Sequence, residues 1–411
     1  MPKWTMIFLI RCTEDGNQIL NCVRMLEDLL SMELPDERSV IIWLNMDVLA
    51  IPEVDPTYVP PANAEPGKNI SRFYKLENDS HSRGSRKSRL VWLGNDMEAF
   101  FITRSEHVQA FFSQYVIGPG YTGEKNVLFT WGHGMPYGIF WGSDAPDPGQ
   151  EYDMLNGTRL MNAIVNSFGP TGKKIDVLIM MNCFIQFLDF AYCMFGAGVS
   201  YLAGSPAGSD FVGLNYTAIF SALFRNPPIP DADLGGLAVT SIRQPGSHVN
   251  DRLKQLEGTT VYTNVLGGYQ QLTDLVNQLG AALSVKMQVD LPGIQTALTN
   301  CGKINIFYHV VDFFSFVRAL KKEFGDSWEK PLIDSILAQQ ALHFPKAYSF
   351  AGNNVDLNGY YPSGFLVCLP DHGTPAGELV YYQMYFEQGG TSPYLSPFVG
   401  DKWSIFVKNF I

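Results

Sequence analysis

Two short apolar runs end on side chains that can do covalent chemistry. Asn126-Val-Leu-Phe-Thr-Trp-Gly leads into His133-Gly134, and Ile175-Asp-Val-Leu-Ile-Met-Met-Asn leads into Cys183. A thiol and an imidazole brought together make a nucleophile and its proton carrier. The thiolate attacks an electrophilic carbon, and the imidazole hands a proton to the departing group. Gly134 adds to this pair. Lacking Cβ, its backbone can approach a bound ligand and offer an N–H to a developing negative oxygen.

The other four isolated thiols are read as structural. Cys12 ends an apolar run but no His-Gly accompanies it, Cys22 and Cys193 fall within helical patterns, and Cys301 falls in a turn. A rival pair, Cys368 with Asp371-His372-Gly373, has its thiol and imidazole too close in sequence to occupy two strand ends. The six cysteines include no C-x-x-C, and they are too sparse for a disulfide scaffold. Gly169 to Lys173 lacks phosphate-loop spacing, and the absence of G-x-S-x-G excludes a serine α/β-hydrolase.

The elements that must carry these residues follow from hydrophobic periodicity. Trp4–Ile10 is a dense apolar, β-branched run, as expected of a buried strand. Ile19, Val23, Leu26 and Leu30 then repeat at helical spacing, and Ser39–Leu44 is a second strand, which completes a βαβ unit. Phe73–Leu76 and Ser88–Leu93 flank the basic stretch Arg83–Arg89 as a surface hairpin, and 97–116 is expected to be helical. Leu155–Phe168 is a helix between the two reactive strands. Helical spacing after Cys183 (Phe184, Phe187, Leu188, Ala191) puts that thiol at a helix N-terminus, where free N–H groups favour thiolate. Val199–Ala203 is a further strand, followed by the glycine-rich loop Gly204–Asp210. Pro227-Pro-Ile-Pro230 marks a boundary. Beyond it, 272–287 and 310–324 are expected to be helices and Gly364–Leu369 a strand.

Composition narrows the function classes. At 411 residues, with 46% hydrophobic and 17% charged residues, the chain has enough apolar material for a large core. A net charge of −11 argues against nucleic acid as a partner, and Arg83–Arg89 is read as a solvated loop. No apolar run approaches the roughly 20 residues of a membrane helix. The apolar core of the first residues is too short for a signal peptide. The compartment is left open; removal of a leader would suit a secreted or cell-envelope protein.

An apolar strand ending in His-Gly, followed by one ending in Cys, resembles the caspase, gingipain, legumain and clostripain clan of cysteine peptidases. His133 stands 50 residues before Cys183, the spacing typical of caspases, although Q-A-C-x-G is absent. The chain is more similar to the clostripain-like peptidases, block by block and in order: Lys3-Trp-Thr-Met-Ile7, Leu128–Gly134, Ile175-Asp-Val-Leu178, Val310–Phe316, Ser363–Pro370 and Trp403-Ser-Ile-Phe406. The resemblance implies an α/β fold, a caspase-like α/β/α sandwich with a mostly parallel central sheet and an appended C-terminal region. On this reading residues 1–235 form the catalytic core, and residues 236–411 form a helical region with strands packed on it. It implies a cysteine endopeptidase with Cys183 as nucleophile, His133 as acid/base, and the N–H groups of Gly134 and Cys183 as the oxyanion hole. The intermediate would be a thioester acyl-enzyme, and the partner a peptide or protein substrate.

Two departures shape the substrate expectation. Where the family carries Asp-Ala-Cys, with the aspartate binding a basic P1 side chain, this chain has Met181-Asn182-Cys183. The usual Arg/Lys preference is therefore not expected. Met181, Asn182, Ser205 and Asp210 are the candidate substrate-binding residues, Asp210 offering a replacement carboxylate. The family's Asp-His-Gly-Gly is Gly132-His133-Gly134-Met135 here. The loop Ser143–Asp153 contains no Lys or Arg, so trypsin-like self-processing is not expected. No cofactor or metal site is specified; the acidic loops leave room for calcium, which some relatives need. The alternative function is a catalytically silent binding protein that retains the peptidase fold.

Overall fold

A computed structural model describes residues 3–12, 16–80, 85–94, 100–135, 138–142, 153–206, 216–225, 260–305, 309–344, 346–349, 363–375 and 401–411. The chain opens with strand β1 (Trp4–Cys12), helix α1 (Gly16–Leu30) and strand β2 (Arg38–Asp47), the expected βαβ unit. A short helix α2 (Ile51–Val54) leads to β3 (Asn69–Asn78) and β4 (Ser88–Trp92). Helix α3 (Ser105–Phe111) runs on as a wider π-turn over Phe112–Ile117 and delivers the chain to β5 (Lys125–Trp131). Next come β6 (Gly134–Met135), β7 (Gly138–Gly142), β8 (Asp153–Asn156), α4 (Gly157–Phe168), β9 (Val177–Met181), α5 (Leu188–Gly196), β10 (Tyr201–Gly204) and α6 (Tyr216–Leu223). The later part supplies β11 (Thr260–Val265), α7 (Tyr269–Thr299), β12 (Lys303–Asn305), β13 (Val310–Asp312), α8 (Phe313–Phe324), α9 (Lys330–His343), β14 (Lys346–Ser349), β15 (Leu366–Cys368) and α10 (Lys402–Phe410).

Among the described residues the central sheet has nine strands, in the order β14-β11-β10-β9-β5-β1-β2-β3-β4. The five inner strands, β10 to β2, are parallel, and each edge adds two antiparallel strands. All nine residues of β1 are buried, as a strand covered on both faces requires. Its side chains alternate between two cores. Met6, Phe8 and Ile10 join Cys22, Leu26 and Leu29 of α1 and Phe220 of α6; Ile7 and Leu9 face the core built on α3, α4 and α5. The result is the expected α/β/α sandwich.

Four expectations change. Phe73–Leu93 does form a hairpin, but β3 pairs with β2 and buries Phe73 and Tyr74, so it extends the central sheet. In 97–116 the helix starts at Ser105, and 95–99 lie outside the described residues. Residues 310–312 are a strand, with the helix beginning at Phe313. The helix after Cys183 begins only at Leu188, so the thiol does not sit on a helix N-terminus. A helix dipole fades within its first turn, and that support for the thiolate is withdrawn. The boundary at Pro227–Pro230 and the loop 143–152 lie outside the described residues.

Candidate active site

β1 lies between β2, which follows it directly, and β5, which returns on its other side. In an open parallel sheet, ligands gather at such a reversal, beyond the strand carboxyl ends. The β5/β9 register decides what stands there. Val127 pairs with Val177 and Trp131 with Met181, so Gly132 and His133 leave β5 level with Asn182 and Cys183 leaving β9.

Polar side chains fix that register at both ends. At the amino end the Asp176 carboxylate accepts from the Asn126 N–H at 2.8 Å, and the Asn126 amide donates to the Lys174 carbonyl at 2.9 Å. At the carboxyl end the Thr130 hydroxyl donates to Asn182 Oδ1 at 2.6 Å. Asn182 Nδ2 in turn donates to the carbonyls of Gly132 (2.9 Å) and His133 (3.1 Å). A one-residue slip would break every one of these bonds and move each core side chain to the wrong face.

Gly134 rests on the Cys183 backbone. A Cβ there would lie 2.3 Å from the Cys183 carbonyl oxygen and 2.7 Å from its nitrogen. The N–H of Phe140 donates to the His133 carbonyl at 2.8 Å, so the Gly134–Ile139 pair is a non-hydrogen-bonded pair of the β6/β7 ladder. The ladder therefore does not use the Gly134 N–H. Arg11, at the end of β1, donates to the Phe140 carbonyl and supports the same turn.

After Cys183 the chain stays irregular for four residues. Phe184 takes a left-handed φ of 56°, costly for a bulky side chain by about 1–3 kcal/mol. Its neighbours hold it there. The Ile185 N–H donates to the Ser205 carbonyl at 2.9 Å, and Phe187 bridges to Leu366 of β15.

None of the six cysteines is in a disulfide, and five of them are buried; Cys183 alone is partly exposed. Burial pushes the thiols of Cys193 and Cys301 up to about 12. The rival pair is spent on structure: Cys368 is buried in β15, and the His372 ring bonds the Phe410 carbonyl. Of the substrate-binding candidates, Met181, Asn182 and Ser205 stand together at the ends of β9 and β10, and all three are buried. Asp210 lies outside the described residues. The Asn182 bonds to the histidine turn escaped sequence reasoning. The signal for them was a lone amide closing an otherwise apolar run. Among the described residues no three His, Cys, Asp or Glu side chains converge as a metal site, and no helix is long and apolar enough to cross a membrane.

No protein-family model matches the chain, and no curated protein matches it. Solved structures do. A secreted C11 cysteine protease from Bacteroides thetaiotaomicron, bound to an irreversible peptide inhibitor, superposes with a TM-score of 0.63 at 11% identity, covering 93% of this chain and 96% of that one. An inactive zymogen C11 protease from Parabacteroides distasonis gives 0.62 at 12% identity, covering 99% and 98%. The chain has the fold of the clostripain-family C11 cysteine proteases. Within this C11-like fold, the two strand ends selected by side-chain chemistry are neighbours at the carboxyl edge of the parallel sheet.

Proposed function

We propose that this chain is a cysteine endopeptidase. Cys183 attacks the scissile carbonyl, and the N–H groups of Gly134 and Cys183 donate to the oxyanion that forms. His133 protonates the leaving amine, which leaves a thioester; it then takes a proton from the water that releases the acid. The observation that carries the reading is the single partly exposed thiol, at a strand end abreast of His133 and on a residue whose backbone packs against Gly134. Met181, apolar and buried, stands where the resemblance puts the family's aspartate, so cleavage is expected after uncharged rather than Arg or Lys side chains.

A peptide library with mass-spectrometric readout tests both parts. Cys183→Ala and His133→Ala should each abolish cleavage, and iodoacetamide at pH 8 should label Cys183 ahead of the others. Cys193 and Cys301 should stay unlabelled, because a thiol with a pKa of about 12 is almost wholly protonated there. Cleavage that survives Cys183→Ala, or no cleavage by the intact chain, sinks the peptidase reading. A preference for Arg or Lys at P1 overturns the specificity.

A further inference from the structure

We propose that Asn182 is a positioning residue that orients the peptide between His133 and Gly134, aiming the Gly134 N–H at the carbonyl oxygen that Cys183 attacks. The inference rests on the peptidase reading and goes beyond it to the residue that holds the oxyanion donor. A peptide unit is planar and trans, so the His133 carbonyl and the Gly134 N–H point in opposite directions from one rigid plate. Whatever grips the carbonyl aims the N–H. Two donors grip it: Asn182 Nδ2 at 3.1 Å and the Phe140 N–H at 2.8 Å. Asn182 also holds the preceding plate through the Gly132 carbonyl at 2.9 Å.

The side chain at 182 must be an amide for this. One end has to accept, because Thr130 presents a hydroxyl at 2.6 Å, and the other has to donate, because it faces two carbonyl oxygens. Asn182 is fully buried, so water cannot substitute. Aspartate has the same shape but no donor, and would set a carboxylate against both carbonyls. Alanine, the residue in the family pattern, would leave the Gly132 carbonyl without this partner. The turn has little room to find another. Gly132 takes φ 147°, and a Cβ there would meet the Arg11 carbonyl oxygen at 2.7 Å.

The test compares Asn182→Ala, Asn182→Asp and Thr130→Val with the intact chain on its best library peptide. It also measures inhibition by the matching peptide aldehyde, whose adduct carries the oxyanion, and alkylation of Cys183 by iodoacetamide, which develops none. Asn182→Ala should lower kcat about 10- to 100-fold with KM within about threefold, the scale of a small misplacement in a site. Aldehyde affinity should fall by a similar factor, as for a transition-state mimic, while alkylation changes less than about threefold. Asn182→Asp should be worse than Asn182→Ala.

Unchanged kcat and aldehyde affinity in Asn182→Ala overturn the inference. So does alkylation falling as far as kcat, which a general structural defect would cause. Should the Asn182 variants fail to fold, Thr130→Val removes only the hydroxyl that sets the amide's orientation. It should still separate kcat and aldehyde affinity from alkylation, and an unaffected Thr130→Val overturns the proposal. An intact chain with no Cys183-dependent cleavage would instead remove the peptidase reading on which it rests.

Discussion

Gly134 is where sequence, packing and proposed chemistry meet at a single residue. Its missing Cβ lets β6 lie on the Cys183 backbone, and the atoms that a side chain would strike are two backbone atoms of Cys183 and the Asn182 Cβ, none of which can rotate away. Gly134→Ala must therefore move the His133 turn off Cys183. Loss of one oxyanion donor typically costs about 100- to 1000-fold in kcat, and that is the expected drop. Steady-state kinetics on the best library peptide check it; activity within threefold of the intact chain would show that the contact is not needed. The sequence carried a plain signal here, because His-Gly after a strand is readable. Asn182 was harder, since its partners lie about 50 residues away and only the strand register brings them together.

At the scale of elements, β13, α8 and β15 form the unit that braces the segment after Cys183. Asp312 is its node. Fully buried at the end of β13, it caps α8 by accepting from the Ser315 N–H at 2.9 Å, and it also takes the N–H and hydroxyl of Ser363. Three residues on from Ser363, β15 begins, and its Leu366 N–H donates to the Gln186 carbonyl at 2.9 Å. Asp312→Ala should cost about 2–4 kcal/mol, from a lost cap and the buried donors it leaves unpaired. Asp312→Asn should cost less. Urea denaturation midpoints measure both, and an unchanged midpoint for Asp312→Ala would remove Asp312 as the brace. The signal for this cap, Asp312-Phe-Phe-Ser315 after two β-branched valines, was legible, yet the helix expected over 310–324 ran straight through it. The chain from Phe184 to Phe187 was not, for its aromatic spacing suits a helix while tertiary pairing to Ser205 and Leu366 claims its backbone. The parallel strands were the most readable elements, because burial on both faces leaves an unbroken apolar run.

On the scale of the whole molecule, the sheet draws β11 and β14 from beyond residue 235, so both halves of the sequence close one set of cores. His343 sits at that join. It ends α9 with 1% exposure, bonds the Val265 carbonyl at the end of β11 through Nδ1 at 2.6 Å, and meets the Tyr269 ring edge-on at 5.2 Å. The Tyr269 hydroxyl donates to the Leu188 carbonyl at 2.9 Å, at the start of α5, so the contact reaches the helix behind Cys183. Burial lowers the His343 pKa in the folded chain, against a bond to Val265 that acts the other way. In the unfolded chain it returns to about 6.5. Between the two values the unfolded state holds the extra proton, so stability is complete above about pH 6.5 and is lost as pH falls below it. His343→Gln cannot take up that proton. The variant should be less stable than the intact chain at pH 7.5, yet lose less on acidification, with a slope shallower by at most about 1.4 kcal/mol per pH unit. His107, also lowered by burial, adds the same trend to both proteins and cancels in the comparison. Thermal melts at pH 7.5, 6.5 and 5.5 read the difference, and parallel curves for the two proteins would show that His343 binds its proton equally in the folded and unfolded chains.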